Sequence, residues 1–250
     1  MAGGLVWLTI ESVNERYSIK NLYFDYQTMM YSLNNGAVKI QFLEENKKFT
    51  NEDRIRLAID YNDPVVRNYA VQIATAHFSE YADSKLGPDR KVIQGFSVFK
   101  ELRHRWVYVH DPQFEDYYAK ASETVKHVKE DGKFKGDCDD YSILMAACIK
   151  AIGGQVRLVR TKVEQPDGTT IGHIYPEVYI GDVKDLESAT YLIQEKFFEK
   201  WSSNKEIYYY LEENGDVWLN FDYNDNYPGG RYQSDVRTSV IKINDKENKK

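Results

Sequence analysis

From residue 51 onward apolar positions recur at steps of three and four, and after Gly154 they recur at every second residue. The first regime predicts helices over 52–60, 64–81, 90–104, 114–129 and 138–152, the first opened by Thr50 and Asp53 as a capping box with Asp in place of the usual Glu. The second regime predicts strands over 155–163, 173–180, 206–213, 216–222 and 236–243, all rich in β-branched and aromatic residues. Asn214-Gly215 marks a hairpin between the third and fourth of these strands, and a helical insertion over 183–202 interrupts the run. Residues 1–49 read differently, as strands over 5–10 and 22–26 followed by a hairpin turning at Asn35-Gly36. Helices followed by an antiparallel sheet make an α+β order. The expected organisation is a β-rich N-terminal appendage (1–49), one α+β domain (50–244) and a solvated charged tail (245–250).

Composition narrows the function classes. Hydrophobic residues at 42% and charged residues at 29% are ordinary for a globular chain. A formal charge of −6 leaves no basic footprint for a phosphate backbone or an anionic lipid surface, so neither nucleic acid nor membrane is an expected partner. The apolar run over 5–10 is too short to span a bilayer and lacks a basic segment before it. The default compartment is therefore the cytoplasm, or an extracytoplasmic one if the sequence has been trimmed. Cys138 and Cys148 stand ten residues apart on one predicted helix, roughly 15 Å by helical rise, and cannot bridge.

Candidate chemistry concentrates at three places. Gly136-Asp137-Cys138 sets a thiol at the start of a helix, where the dipole favours a thiolate by only about 0.3 to 1 kcal/mol. Asp137, Asp139 and Asp140 push the other way, so activation of this thiol requires an imidazole partner. His173 opens the predicted strand "HIYPEVYI", whose alternation puts His173, Tyr175, Glu177 and Tyr179 on one face. A base also needs a group that fixes its tautomer, and Asp222 ends the strand "DVWLNFD" on the face opposite Val217, Leu219 and Phe221.

"GDCDDYSILMAACIKAIGGQVRLV", "GHIYPEVYI" and "DVWLNFDYNDNYPGG" resemble, in order and type, the three motifs of the transglutaminase-like superfamily. The resemblance spans about 107–230, with "RHRWVYVHDP" similar to the aromatic segment upstream of the cysteine. It implies a papain-like core with Cys138 as nucleophile, His173 as base and Asp222 as orienting group. The sequence departs from the pattern in Tyr175 where Trp is common, in Pro176 within the His strand, and in about thirty residues inserted before the Asp strand. Pro176 predicts an edge or a bulge.

The resulting expectation is cysteine-dependent acyl transfer on a peptide or amide bond of a protein or peptide substrate, with hydrolysis favoured over crosslinking. The alternative is a catalytically silent module of the same fold that serves interaction or assembly, with the appendage as a docking surface. No cofactor is implied. Asp222, Asn224 and Asn226 have calcium-loop spacing, but Tyr227 replaces the required Gly and no Glu follows at the twelfth position, so a turn is the simpler reading and no metal is assigned.

Overall fold

The computed structural model describes residues 50–77, 90–111, 117–128 and 132–243. The expected appendage over 1–49 and the tail over 245–250 lie outside them. The described chain is mixed helix and antiparallel sheet, as the α+β reading requires. Helix α1 (Asn51–Ala58) starts at a complete capping box, Thr50 and Asp53 each satisfying the other's backbone N–H. Asp63 caps α2 (Pro64–Thr75), with proline at the first helical position where no donor is lost. Helix α3 (Arg90–Arg105) runs directly into the short strand β1 (Trp106–Tyr108), which pairs in parallel with β2 (Phe134–Gly136). This two-stranded unit has no alternation long enough to be legible in sequence.

Between them the helix expected over 114–129 is shorter, α4 (Ala121–His127). The chain ahead of it is held in an extended approach because its N–H groups are taken by side chains: Tyr117 N–H donates to Asp111 Oδ2 at 2.7 Å and Ala119 N–H to Asp140 Oδ1 at 2.9 Å. Helix α5 (Cys138–Ala151) is buried on nearly every side, from Asp140 to Ile149, and packs on α2, α3, α4 and the sheet.

The five-stranded sheet has the order β5-β6-β4-β3-β7, with β3 (Val156–Glu164), β4 (Thr170–Gly181), β5 (Tyr209–Leu211), β6 (Val217–Asn220) and β7 (Arg237–Lys242), all neighbours antiparallel. The insertion between β4 and β5 forms α6 (Val183–Leu192), a π-helical turn (Ile193–Phe197) and α7 (Glu199–Ser202). The Asn214-Gly215 hairpin forms as expected, with Gly215 at φ 91° joining β5 to β6.

Two strand expectations are corrected. His173 lies inside β4 rather than opening it, because Thr170, Ile171 and Gly172 continue the pairing with β3. Pro176 marks neither an edge nor a bulge: β4 is central, and its irregularity falls between Tyr179 and Gly181. The missing donor is tolerated because the β4–β6 ladder ends at Glu177–Asn220, one residue before Pro176. Only the Pro176 carbonyl is then needed on that side, and it accepts the Phe221 N–H at 2.9 Å.

The sheet has two distinct faces. Leu158, Ile174, Val178, Leu219, Phe221 and Ile241 join the helices in one apolar core. On the other face Arg157, Thr161, His173, Tyr175, Glu177 and Asn220 are all buried, although five of the six are ionisable or amide side chains.

Candidate active site

Cys138 occupies the first position of α5, with Asp137 as N-cap accepting the Asp139 N–H at 3.0 Å. Gly136 precedes it for a steric reason: a Cβ there would stand 2.4 Å from the Asp140 carboxylate, which is turned back to hold the Ala119 N–H. The helix start is bound to β4 beside His173. The Ile174 N–H donates to the Cys138 sulfur, and the Ser142 hydroxyl lies 2.7 Å from the Cys138 carbonyl and 3.1 Å from the Ile174 carbonyl. Ser142, one turn along the helix, was not singled out in the sequence; its signal is a lone hydroxyl in an otherwise apolar stretch.

Asp222 lies two residues beyond the end of β6, and β6 is the neighbour of β4. Phe221 anchors it from the core side, packing edge-on to Phe99 at 5.5 Å and stacked on Phe96 at 6.2 Å. The Asp222 Oδ2 then meets His173 Nε2 at 2.7 Å, with both side chains almost fully buried. The Tyr223 ring packs on the rings of His173 (5.9 Å), Tyr141 (5.3 Å) and Tyr108 (5.6 Å), so one aromatic cluster joins the end of the sheet to α5 and β1.

The thiol is half-buried, and burial pushes its pKa up to about 12, reinforced by Asp137, Asp139 and Asp222 and opposed by the Ile174 N–H. Cys148 is fully buried in the core, and burial alone pushes its pKa well up. Asp139 is forced far above the carboxylate range by burial first and then by the proton it shares with Asp137. Asp140 is pushed up to about 7 by burial, against the Ala119 N–H that stabilises its charge. One oxygen from each of Asp137, Asp139 and Asp140 lies within 4.8 Å of the others, so among the described residues this is where a cation could be held. Protonation of Asp139 relieves the same repulsion.

Two aromatic residues of the segment upstream of the cysteine, Trp106 and Tyr108, part company. Trp106 is buried against Phe134 and Tyr141 with its indole N–H unpaired, whereas Tyr108 stays exposed within reach of the Cys138 charge. A hollow lined by Asn62, Pro64, Arg67, Asn68 and Val71 contains none of the three motif residues.

No curated protein matches the chain. Among solved structures, Legionella pneumophila LapG is similar over 72% of this chain and 76% of its own, at 15% identity and a TM-score of 0.32. The family model for the transglutaminase-like superfamily matches residues 82–223, more than half of the chain, and that stretch carries Cys138, His173 and Asp222 in the order in which the helix, β4 and the end of β6 present them. The chain belongs to the transglutaminase-like superfamily.

Proposed function

We propose that this protein is a cysteine-dependent acyl-transfer enzyme acting on a peptide or amide bond, with Cys138 as nucleophile, His173 as general base and then acid, and Asp222 as the orienting carboxylate. The observation that carries this reading is the buried 2.7 Å bond between His173 Nε2 and Asp222 Oδ2, on a strand whose next residue, Ile174, is bonded to the first turn of the helix that begins at Cys138. With Nε2–H committed to Asp222, Nδ1 is the nitrogen left to take the thiol proton.

A thiol pushed up to about 12 is neutral at rest, so its proton moves to His173 as sulfur attacks the substrate carbonyl. The C–S bond forms, and the carbonyl oxygen takes the charge facing the Cys138 N–H at the helix start. Collapse breaks the C–N bond, and His173 returns the proton to the leaving amine. Water, deprotonated by His173, then attacks the thioester and releases the acid and the thiol; an amine in place of water would give crosslinking. The carboxylates beside the thiol favour a neutral or cationic peptide segment over an acidic one. The competing reading, a silent module, draws on the same raised thiol pKa.

Alkylation by iodoacetamide, followed at each cysteine across pH by mass spectrometry, separates the two. The enzyme reading expects Cys138 to label faster than Cys148 and to slow markedly in His173→Ala. Once a peptide substrate is found, Asp222→Asn is expected to leave the fold intact and cut turnover by about 10²- to 10⁴-fold, because the wrong tautomer is favoured. Equal, slow labelling of both thiols in the wild type would sink the reading.

A further inference from the structure

The stretch after Asp222, "YNDNYPGGRYQ" (223–233), is rich in turn residues and folds back on itself. Asn220, almost wholly buried, holds both ends: its Oδ1 accepts the Asp222 N–H at 3.0 Å, its Nδ2 donates to the Gly230 carbonyl at 2.8 Å, and its own carbonyl accepts the Gly229 N–H at 2.6 Å. Asp225 closes the middle, its Oδ2 accepting the Arg231 N–H at 2.9 Å and its carbonyl taking Arg103 Nε at 3.1 Å. Asp225, the acidic residue off the calcium-loop spacing, is thus tied to the loop backbone.

The returning chain is fastened again on the far side. Tyr232 donates its hydroxyl to Glu177 Oε1 at 3.1 Å, and Glu177, with no exposed surface, is itself held by Arg157 Nε at 2.8 Å and by Arg237 at 2.7 and 3.0 Å. Gln233 follows directly after Tyr232. Its amide nitrogen lies 3.1 Å from His173 Nε2 and 3.5 Å from Asp222 Oδ2, against the two atoms that make the 2.7 Å bond.

We propose that Gln233 is a positioning residue whose amide covers the His173–Asp222 hydrogen bond and keeps water off it. The inference rests on the reading of that pair as part of the working site. Coverage fits the distances better than hydrogen bonding does. At 3.5 Å the amide is a poor donor to the carboxylate. Nε2, with its proton directed at Asp222, offers the amide no lone pair. A hydrogen bond to a carboxylate gains strength where water is excluded, and an imidazole fixed by it keeps one tautomer. The loop and the Glu177 fastening exist, on this view, to bring a side chain back over Asp222 from eleven residues away.

The test is the His173 Nε2–H proton, observed directly by NMR in the full-length protein with ¹⁵N-labelled histidine, so no substrate is needed. The wild type is expected to show a downfield resonance protected from water. In Gln233→Ala and Gln233→Ser its exchange with water should accelerate by about tenfold or more, whereas Gln233→Met, of similar length but without a polar amide, should stay within about twofold of wild type. Cys138 alkylation should follow the same order, slow in the Ala and Ser variants and near wild type with Met. An unprotected proton in the wild type, unchanged exchange in both small-residue variants, or equal loss in Met and Ala would each overturn the proposal. Failure of the enzyme reading looks different: wild-type Cys138 then labels no faster than Cys148, whatever the His173 proton does.

Discussion

At the Cys138 sulfur the opposing terms can be ranked. Burial comes first, the Asp137 charge second, and the Ile174 N–H is the largest influence that lowers the pKa. Asp139 ranks below both. Asp137→Asn isolates the leading charge, since Asn caps a helix as well as Asp does. The variant should keep α5, move the Cys138 pKa down, and raise the alkylation rate at pH 8 several-fold, about 1 kcal/mol or less. A pH–rate profile that does not move would leave burial as the sole cause. The sequence already showed three aspartates opposing the thiol. Their ranking was not legible, because it depends on burial and on a proton shared between two side chains. Gln233 was equally hidden: it has no periodicity, no motif and no charge, and only the path of the loop brings it to Asp222.

Among the elements, α5 and β4 were the most legible, and their junction the least. The apolar run after Cys138 and the alternation in "HIYPEVYI" mark a helix and a strand, and in the structure α5 is buried on nearly every side and β4 on both faces from His173 to Val178. The alternation does not say where a strand begins, because Thr170, Ile171 and Gly172 pair with β3 through backbone groups that any residue supplies. Pro176 misled for a related reason: whether a proline nitrogen costs a ladder bond depends on where the partner strand ends. At the junction Gly136 is the sensitive position. Gly136→Ala would drive a methyl into the Asp140 carboxylate, freeing the Ala119 N–H and shifting the first turn of α5. A loss of about 1–3 kcal/mol in chemical denaturation is expected, together with slower Cys138 alkylation. Wild-type behaviour in both measurements would mean that Asp140 moves aside freely and does not set the position of the thiol.

For the molecule as a whole, the helix side of the sheet is sealed by apolar packing and the other side by charged and aromatic groups around Glu177, with Arg157 over the Trp218 ring at 4.1 Å and Arg237 over Tyr210 at 4.1 Å. The candidate site lies where the start of α5 meets the His173 end of β4, and there Asp139 and Asp140 are largely taken out of water. Folding stability should carry that cost with a definite sign. Asp139 has an ordinary carboxylate pKa near 4 when unfolded and one raised to about 10 when folded, so its contribution is intact below about pH 4 and is lost as pH rises toward 10. Over that range the unfolded chain releases a proton that the folded chain keeps. Asp139→Asn removes this dependence while still offering a donor to Asp137, and comparison with wild type cancels the titrating groups that do not interact with Asp139. The stability difference, variant minus wild type, should therefore be smallest near pH 4 and grow in favour of Asn by up to about 4 kcal/mol between pH 5 and pH 8. Urea denaturation of both proteins at several pH values measures it. A difference that stays flat, or that favours aspartate as pH rises, would mean that Asp139 is ionised in the folded protein and that the first turn of α5 is solvated or neutralised in another way.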